Sequence, residues 1–584
     1  MGTQEFMENK ERRTVFSFPV FYNRFIIFLF LCMMSFLLFI AAVSTSRISF
    51  DVYKVVKPIE HTFFLKDSVF LNAAAFIFLL LFFLCMRKIS FIRKCINRIN
   101  SDQKLFSRLS ICILALIGLW SVFWILIAES KPGADQLIIT DIAKQMNEGI
   151  YSAFNNDGYL IKYQNQLPIT LLLQLIYKVF PDTSFFHLQL LNVFGLLGVY
   201  YLLSLLFTDF KRSNAEKICL LSLGLFFPIL NYYCIFIYGN IFGLLFSLLA
   251  IHFMIQCINH EKLIYGAASL FAMLIAVFLK QNYLIFMIAL IITYFIHFFE
   301  RRRIQLAVLP IMMILMFFIT QSGFNQITAK YNKDYKTYGM STWGWIAMGT
   351  SRTTETCDGW FTHDNNILYK ECGYNTKLHG EKSKEVVKQN LETYIKHKRQ
   401  GIRFFLRKNA SQWNNPDFQG YWIVLCHDHS RSSTANHLLS SRTINRVDYY
   451  LNLGQFCILI GVLLFFLREP CKITNLELYL AITIIGGFIF HTFWEGKSQY
   501  IVSYYPLMYF YSVIGFSGTI HYLEKKDFSK NILRDIRSKR FGIIIILLSF
   551  MLTAFTVSLS AKNGKTSLEG DEKEFYEHSA LFEE

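Results

Sequence analysis

Asp135 stands just past the end of a membrane-length apolar run, in Glu129-Ser-Lys-Pro-Gly-Ala-Asp135-Gln136. A carboxylate in that place can accept a proton at a membrane surface, where a lipid-borne substrate could meet a polar one. General bases contribute about 10²–10⁴-fold to a rate. The same residue could equally cap a helix or stabilise a loop. Asp141 is a second candidate, although it also suits the first turn of a surface helix, where a carboxylate meets the dipole. Lys280, followed by Gln281 and Asn282, ends another apolar run. An ammonium there can hold a phosphate as a point charge, or can snorkel to the interface. Glu495 and Lys497 end a third run, where they could bind a ligand or pair with each other. His491 lies one turn inside that run, as a site residue or a hydrogen-bonded bundle histidine. Gln166, just before Leu167-Pro168, could orient a substrate or mark a turn.

No His/Asp/Glu set has the spacing of a metal site, so a divalent metal is possible but not demanded. The His363–Asp364 and His427–Asp428–His429 groups are the remaining places for one; solvated loop residues are the other reading.

The elements that position these residues are membrane helices. The chain has 584 residues, 54% of them hydrophobic. Apolar runs of about 17–25 residues recur from end to end, enough to cross a hydrocarbon core of about 30 Å. A transmembrane barrel is excluded, because its strands alternate with a period of two. The net charge of +17 comes from Lys and Arg clustered between apolar runs. That is the positive-inside pattern rather than a nucleic-acid surface. The first run, 25–43, lacks a small-residue cleavage site, so no cleavable signal peptide is expected. Met1–Phe6 reads as a cloning remnant. Most of the 12 Cys lie in or beside apolar runs and no CxxC occurs; Cys357 and Cys372 could form a disulfide.

Thirteen spans are predicted, at about 25–44, 69–87, 109–128, 185–207, 218–237, 241–257, 263–280, 283–299, 304–321, 449–467, 476–494, 500–521 and 541–560. With a cytoplasmic amino terminus, the basic groups at 87–108, 211–217, 301–303 and 525–540 all fall inside. That parity requires Leu167–Phe180 to be a surface helix rather than a span. Its length of about fourteen residues agrees. Ile138–Asn147 is predicted as a second surface helix. The predicted divisions are 1–108 (tail, hairpin and basic loop), 109–321 (core, with a first outer loop over 129–184), 322–448 (outer loop domain), 449–560 (last spans) and an acidic tail. Within the outer segment, Glu381–Lys408 has the spacing of one amphipathic helix.

Several stretches resemble, in order, the membrane-embedded glycosyltransferases of the GT-C superfamily, in the bacterial branch related to protein O-mannosyltransferases and aminoarabinose transferases. They are Pro132-Gly-Ala-Asp135-Gln136 with Ala143 and Gly149-Ile-Tyr151, and Tyr159 with Tyr163-Gln-Asn-Gln166. Leu190-Leu-Asn192, Tyr238-Gly-Asn240 and Leu279-Lys-Gln-Asn282 follow. Then come Trp345-Ile-Ala-Met-Gly349, Gly359-Trp360, Phe404-Phe405 with Lys408 and Gln412-Trp413, and Trp494-Glu495 with Tyr500 and Pro506. The resemblance covers about 110–522. Relatives often carry Arg directly before the Tyr of the last motif; here that position is Gln499, with Lys497 two residues earlier.

The resemblance implies an all-α bundle of about eleven core helices plus an added amino-terminal hairpin. It implies a bacterial plasma-membrane enzyme that moves one sugar from a polyprenyl-phosphate carrier to an extracytoplasmic glycan acceptor by inverting displacement. The partners would be that lipid donor, the glycan and the surrounding membrane lipid, with no nucleic acid. Asp135 and Asp141 would be the candidate catalytic carboxylates, and Lys280 and Lys497 would hold the donor phosphate. Gln166, Tyr163, Asn282, Glu495, Tyr500 and His491 would contact sugar or acceptor. A polymerase or ligase using lipid-linked oligosaccharide is the nearest alternative. A flippase is less favoured, because no repeat and few mid-span charges occur.

Overall fold

The computed structural model describes residues 18–48, 62–353, 357–425, 431–468 and 473–525. The predicted span 541–560, the acidic tail and the His427–His429 group lie outside these residues.

The fold is dominated by helices, and among the described residues nine are long and apolar enough to cross a membrane. That is the make-up of a multi-pass membrane protein, in which each helix satisfies its own backbone. The first is α1 (Phe18–Val43). It continues into a short ribbon, β1 (Ser44–Ile48) antiparallel to β2 (Thr62–Lys66), and α2 (Val69–Lys88) returns. The ribbon was not evident in the hydropathy pattern. Next come a basic amphipathic helix, α3 (Ser90–Ser101), and the long α4 (Gln103–Ala128).

Three short helices, α5 (Ala134–Asn147), α6 (Tyr159–Lys162) and α7 (Leu167–Val179), precede α8 (Phe185–Asp209). Pro168 sits in the first turn of α7, where its missing N–H costs nothing. On α7, Ile169, Thr170, Leu173 and Tyr177 are buried, while Leu172, Leu175 and Val179 face outward. Lys144 of α5 lies 5.1 Å over the Tyr177 ring, so the two helices run side by side.

The predicted span 218–237 is corrected. Its first part is α9 (Asn214–Phe226), only 13 residues, which stops before Pro228. A 3₁₀ turn, Asn231–Ile235, follows. Proline cannot donate the helical hydrogen bond, and the freed backbone finds other partners inside the protein. Asn192 Nδ2 donates to the Cys234 and Phe236 carbonyls (3.3 and 3.1 Å), and Trp124 Nε1 to Tyr232 O (3.3 Å). Irregular backbone at membrane depth is tolerated where it is buried like this.

The chain continues through α10 (Asn240–His260), the shorter α11 (Leu263–Leu279), α12 (Leu284–Arg301) and α13 (Gln305–Tyr331). The polar segment after α13 folds as α14 (Thr342–Thr350), α15 (Asp364–Glu371), α16 (Thr376–Lys396) and α17 (Lys398–Trp413), followed by short helices α18 (Gly420–Leu425) and α19 (Ser433–Leu438). One expectation fails here, and one open pairing is not made. The single helix over 381–408 is two, broken at His397 (φ −110°, ψ 73°). Cys357 and Cys372 are both buried and free: Cys357 packs with Trp360 and Ala410, and Cys372 ends α15. On either side of the segment, α13 runs on to Tyr331 and the next long helix, α20 (Ser441–Arg468), begins at Ser441. The last described helices are α21 (Asn475–Phe493) and α22 (Tyr505–Lys525).

Contacts between chain reversals define two ends of the bundle. At one, Arg212 meets Glu477 (2.5 Å), His252 meets Asp209 (2.6 Å), Arg303 meets Glu261 (3.3 Å), and Asn475 bonds Glu300. Asn214 reaches Gln103 there too (3.2 Å). This is the basic end. The turns before α5, α10, α12 and α22 gather at the other end, which carries the site.

Candidate functional site

Asp135 lies in the first turn of α5, after Gly133 and an Ala134 whose φ of 48° turns the chain sharply. Its carboxylate is partly exposed. Oδ2 accepts a hydrogen bond from the Tyr238 hydroxyl at 3.0 Å, and Gln166 Nε2 donates to the same hydroxyl oxygen at 2.6 Å. The next residue, Gln136, is buried, and its Oε1 accepts from Ile237 N at 2.9 Å. The start of α5 is thus fastened to the 236–240 turn by two successive side chains.

Gly239 makes that turn possible. Its φ is +79°, and a Cβ there would stand 2.3 Å from Leu279 O. No other residue tolerates both the left-handed backbone and the contact. The two turns, 238–240 and 279–282, are therefore pressed together, which brings Lys280 onto Tyr238.

Lys280 is 7% exposed. Its Nζ lies 3.6 Å over the Tyr238 ring and 5.8 Å from the centre of the Tyr500 ring. Among the described residues it makes no ion pair within 4 Å. Burial pushes its pKa down to about 7, with Asp135 and Glu495 opposing and Lys497 assisting. An ammonium cradled by aromatic faces and not in direct ion-pair contact with a carboxylate is costly to bury. A bound anion would relieve that cost.

Glu495 follows α21 and is buried. Tyr500 OH donates to its Oε2 at 3.4 Å. Lys408 of α17, fully buried, donates to the carbonyls of Gly349 and Trp494, the latter at 2.6 Å. Burial lowers its pKa well below the usual lysine value, while Glu495 opposes. Lys408 thus staples α14 and the end of α21 together and fixes the peptide before Glu495. Gly359 (φ +75°) packs on the Lys408 stem, where a Cβ would lie 2.6 Å from Cδ. Gly496 N donates to Gly359 O at 2.6 Å, and Trp360 Nε1 to Ser411 Oγ at 2.7 Å. The polar domain after α13 thereby holds the 494–500 turn.

Lys497 is partly exposed, 5.7 Å over the Phe361 ring, and close enough to lower the Lys280 pKa. Gln499 is buried, and its backbone N donates to Gln419 Oε1 at 3.1 Å. His491 is fully buried beneath Tyr500, with rings 5.9 Å apart at 25°, and its Nε2 is 3.4 Å from Tyr504 OH. It supports the site floor and has no direct access to solvent.

Tyr159 and Tyr163 complete the near wall. Tyr159 sits against Tyr238 and Asp135; burial raises its pKa well above the usual value, and Asp135 adds to the shift. Tyr163 is pushed up to about 12 by burial, with Asp135 and Glu495 contributing. Its ring is 6.2 Å from Trp345.

The structure therefore brings together Asp135, Tyr163, Gln166, Lys280, Glu495, Lys497 and Tyr500, with His491 below. Asn282 is partly exposed in the turn just after Lys280. Asp141 is not part of the cluster. Six residues along α5 carry it about 9 Å up the axis and roughly 240° around from Asp135. It is exposed, and the group whose pKa it raises is Tyr177 of α7. Tyr159, Tyr238 and Lys408 were not singled out from sequence as site residues. The only signal was their presence in quoted motifs, since tyrosines in apolar surroundings look like core. His363 and Asp364 begin α15 and are exposed, and among the described residues no group of three His, Cys, Asp or Glu could hold a metal.

Chemically, the arrangement sets a reachable carboxylate beside a buried cation, on a floor of aromatic rings, at one end of a membrane bundle. A comparison with known families finds no family model that matches this chain, and a comparison with curated proteins finds no match.

Proposed function

We propose that the chain is a membrane glycosyltransferase of the GT-C type. It takes a sugar from a polyprenyl-monophosphate carrier and transfers it to an acceptor at the extracytoplasmic face. One observation carries the reading: Lys280, buried without an ion-pair partner among the described residues, lies on the same tyrosine whose hydroxyl bonds Asp135. A phosphate oxygen seated on Lys280 would gain its missing charge partner. Lys497 is the second cation in reach of that phosphate. The anomeric carbon would then lie on the Asp135 side, where the carboxylate can take the acceptor proton as the new bond forms. The leaving phosphate is a stable anion, so no general acid is needed.

The sidedness also belongs to this reading. With the basic end cytoplasmic, the site end faces outward.

The test is transfer by purified protein from a panel of polyprenyl-monophosphate sugars, with a diphosphate-linked oligosaccharide as control. Transfer from a monophosphate donor only is the expected result. Activity with the diphosphate donor alone would make the chain a polymerase or ligase. Movement of labelled donor between leaflets without transfer would make it a flippase.

A further inference from the structure

Beside the site a cleft of about 340 Å³ opens between α6 and α15. This is within the usual size range of ligand sites, about 300–1,000 Å³. Its near wall is Tyr159 and Tyr163, the two rings already facing Asp135, set 4.9 Å apart at 45°. Its far wall is Tyr374, whose φ of 62° turns the chain after α15. Tyr369 forms the floor; its ring meets Tyr374 edge-on (5.4 Å, 80°), and its hydroxyl accepts from Gly339 N at 2.5 Å. Asn366 Oδ1 accepts from Tyr163 OH at 3.5 Å across the cleft. Two lysines line the mouth, Lys162 partly exposed and Lys370 exposed, and among the described residues neither makes an ion pair.

We propose that this cleft binds the acceptor, and that the acceptor is an anionic, polyhydroxylated chain bearing phosphate or carboxylate groups. The proposal rests on the glycosyltransferase reading above and adds the acceptor's chemical class. Tyrosines offer apolar ring faces for C–H surfaces and hydroxyl tips for hydroxyl groups. The two ammonium groups match anionic groups along the chain, and no lining residue is acidic. A neutral chain would leave both cations unused, while a cationic one would be repelled. The shared Tyr159 and Tyr163 lead the bound chain to Asp135, so one acceptor hydroxyl reaches the base while charged units lie in the cleft.

The probes are a glycerol-phosphate octamer, a galacturonate octamer and uncharged maltooctaose, used on full-length detergent-solubilised protein. The wild type is expected to bind one or both charged octamers at least tenfold more tightly than maltooctaose, with affinity falling as salt rises. Which charged octamer binds separates a phosphate-bearing from a carboxylate-bearing acceptor. Lys162→Gln combined with Lys370→Gln should remove that preference, and the Lys→Arg pair should retain it. In transfer assays the Gln pair should raise KM for the charged acceptor at least tenfold with kcat unchanged. Equal binding of charged and neutral octamers, or an unaltered preference in the Gln pair, would overturn the inference. Lysine-dependent binding of a charged octamer without transfer from any donor would retain the acceptor cleft and remove the glycosyltransferase reading.

Discussion

Among the described regions that bury charge, two do it in opposite ways. At the amino-terminal ribbon, Arg47 and Asp448 pair at 2.6 Å with 3% and 2% of their side chains exposed. Asp67 lies beside them, accepting from Thr45 at 2.8 Å and from Asn452 at 2.5 Å; burial pushes its pKa up to about 7. These groups are sealed, and each finds its partner within the fold. At the candidate site, Asp135 stays partly open and Lys280 is buried, with no ion pair within 4 Å among the described residues. Sealed charge locks two segments together. Buried charge left without an ion-pair partner next to an open carboxylate is what a site for an anionic substrate requires. The contrast distinguishes a joint from a site where burial alone would not.

The sharpest way to break the comparison is Asp135→Asn. The amide keeps the shape and cannot take a proton. Transfer should fall by about 10²–10⁴-fold, with thermal unfolding and donor affinity nearly unchanged; a rate within threefold of wild type would remove Asp135 as the base. The ribbon should respond in the other currency. Arg47→Ala leaves Asp448 buried and unpaired, and should cost about 3–5 kcal/mol of stability. Unfolding in detergent would read it, while activity per folded molecule stays level. Replacing both partners, with Arg47→Met and Asp448→Leu, should be neutral or stabilising, which would confirm a purely structural joint.

Lys280→Ala should weaken donor binding about 10–100-fold, the worth of a charge-assisted contact of roughly 1.5–3 kcal/mol. The pH dependence follows from its lowered pKa. Below about 7 the ammonium is charged and donor affinity is highest; as pH rises through 7 the charge is lost and affinity falls. Lys280→Arg should flatten this dependence, because guanidinium stays charged. Equal donor affinity in Lys280→Ala and wild type would exclude Lys280 from the site. The smallest expected effect is that of Tyr238→Phe. It removes the hydroxyl bridging Asp135 and Gln166, worth about 1 kcal/mol or roughly fivefold in kcat, while the aromatic face under Lys280 remains.

Much of this was legible in the sequence, for a physical reason. Asp135, Lys280 and Glu495 each end an apolar run, and charge parity put those ends on one side. Hydropathy therefore placed the residues, although nothing in it could show that they touch. Where it failed, the cause is that hydropathy averages over a window. Residues 218–237 are mostly apolar, so the break at Pro228 vanished into the mean, although the proline itself was visible. Asp141 stands apart from the cluster for a reason of helical phase: six positions from Asp135 lie on a different face. The 381–408 helix hides its break at His397, where no proline or glycine marks it. Tyr238 and Lys408 could not be picked out, because a buried tyrosine or lysine declares its role only through its partners.

The ribbon joint has a consequence for how the protein is made. Arg47 and Asp448 are 401 residues apart. At about 5–20 residues per second, Arg47 leaves the ribosome roughly 20–80 s before its partner exists. For that interval the first hairpin sits in the bilayer without the Asp448 carboxylate that pairs with Arg47 in the finished fold. Every nascent chain shorter than 448 residues therefore lacks this ion pair, and the hairpin can reach its final seat only after most of the chain has been synthesised.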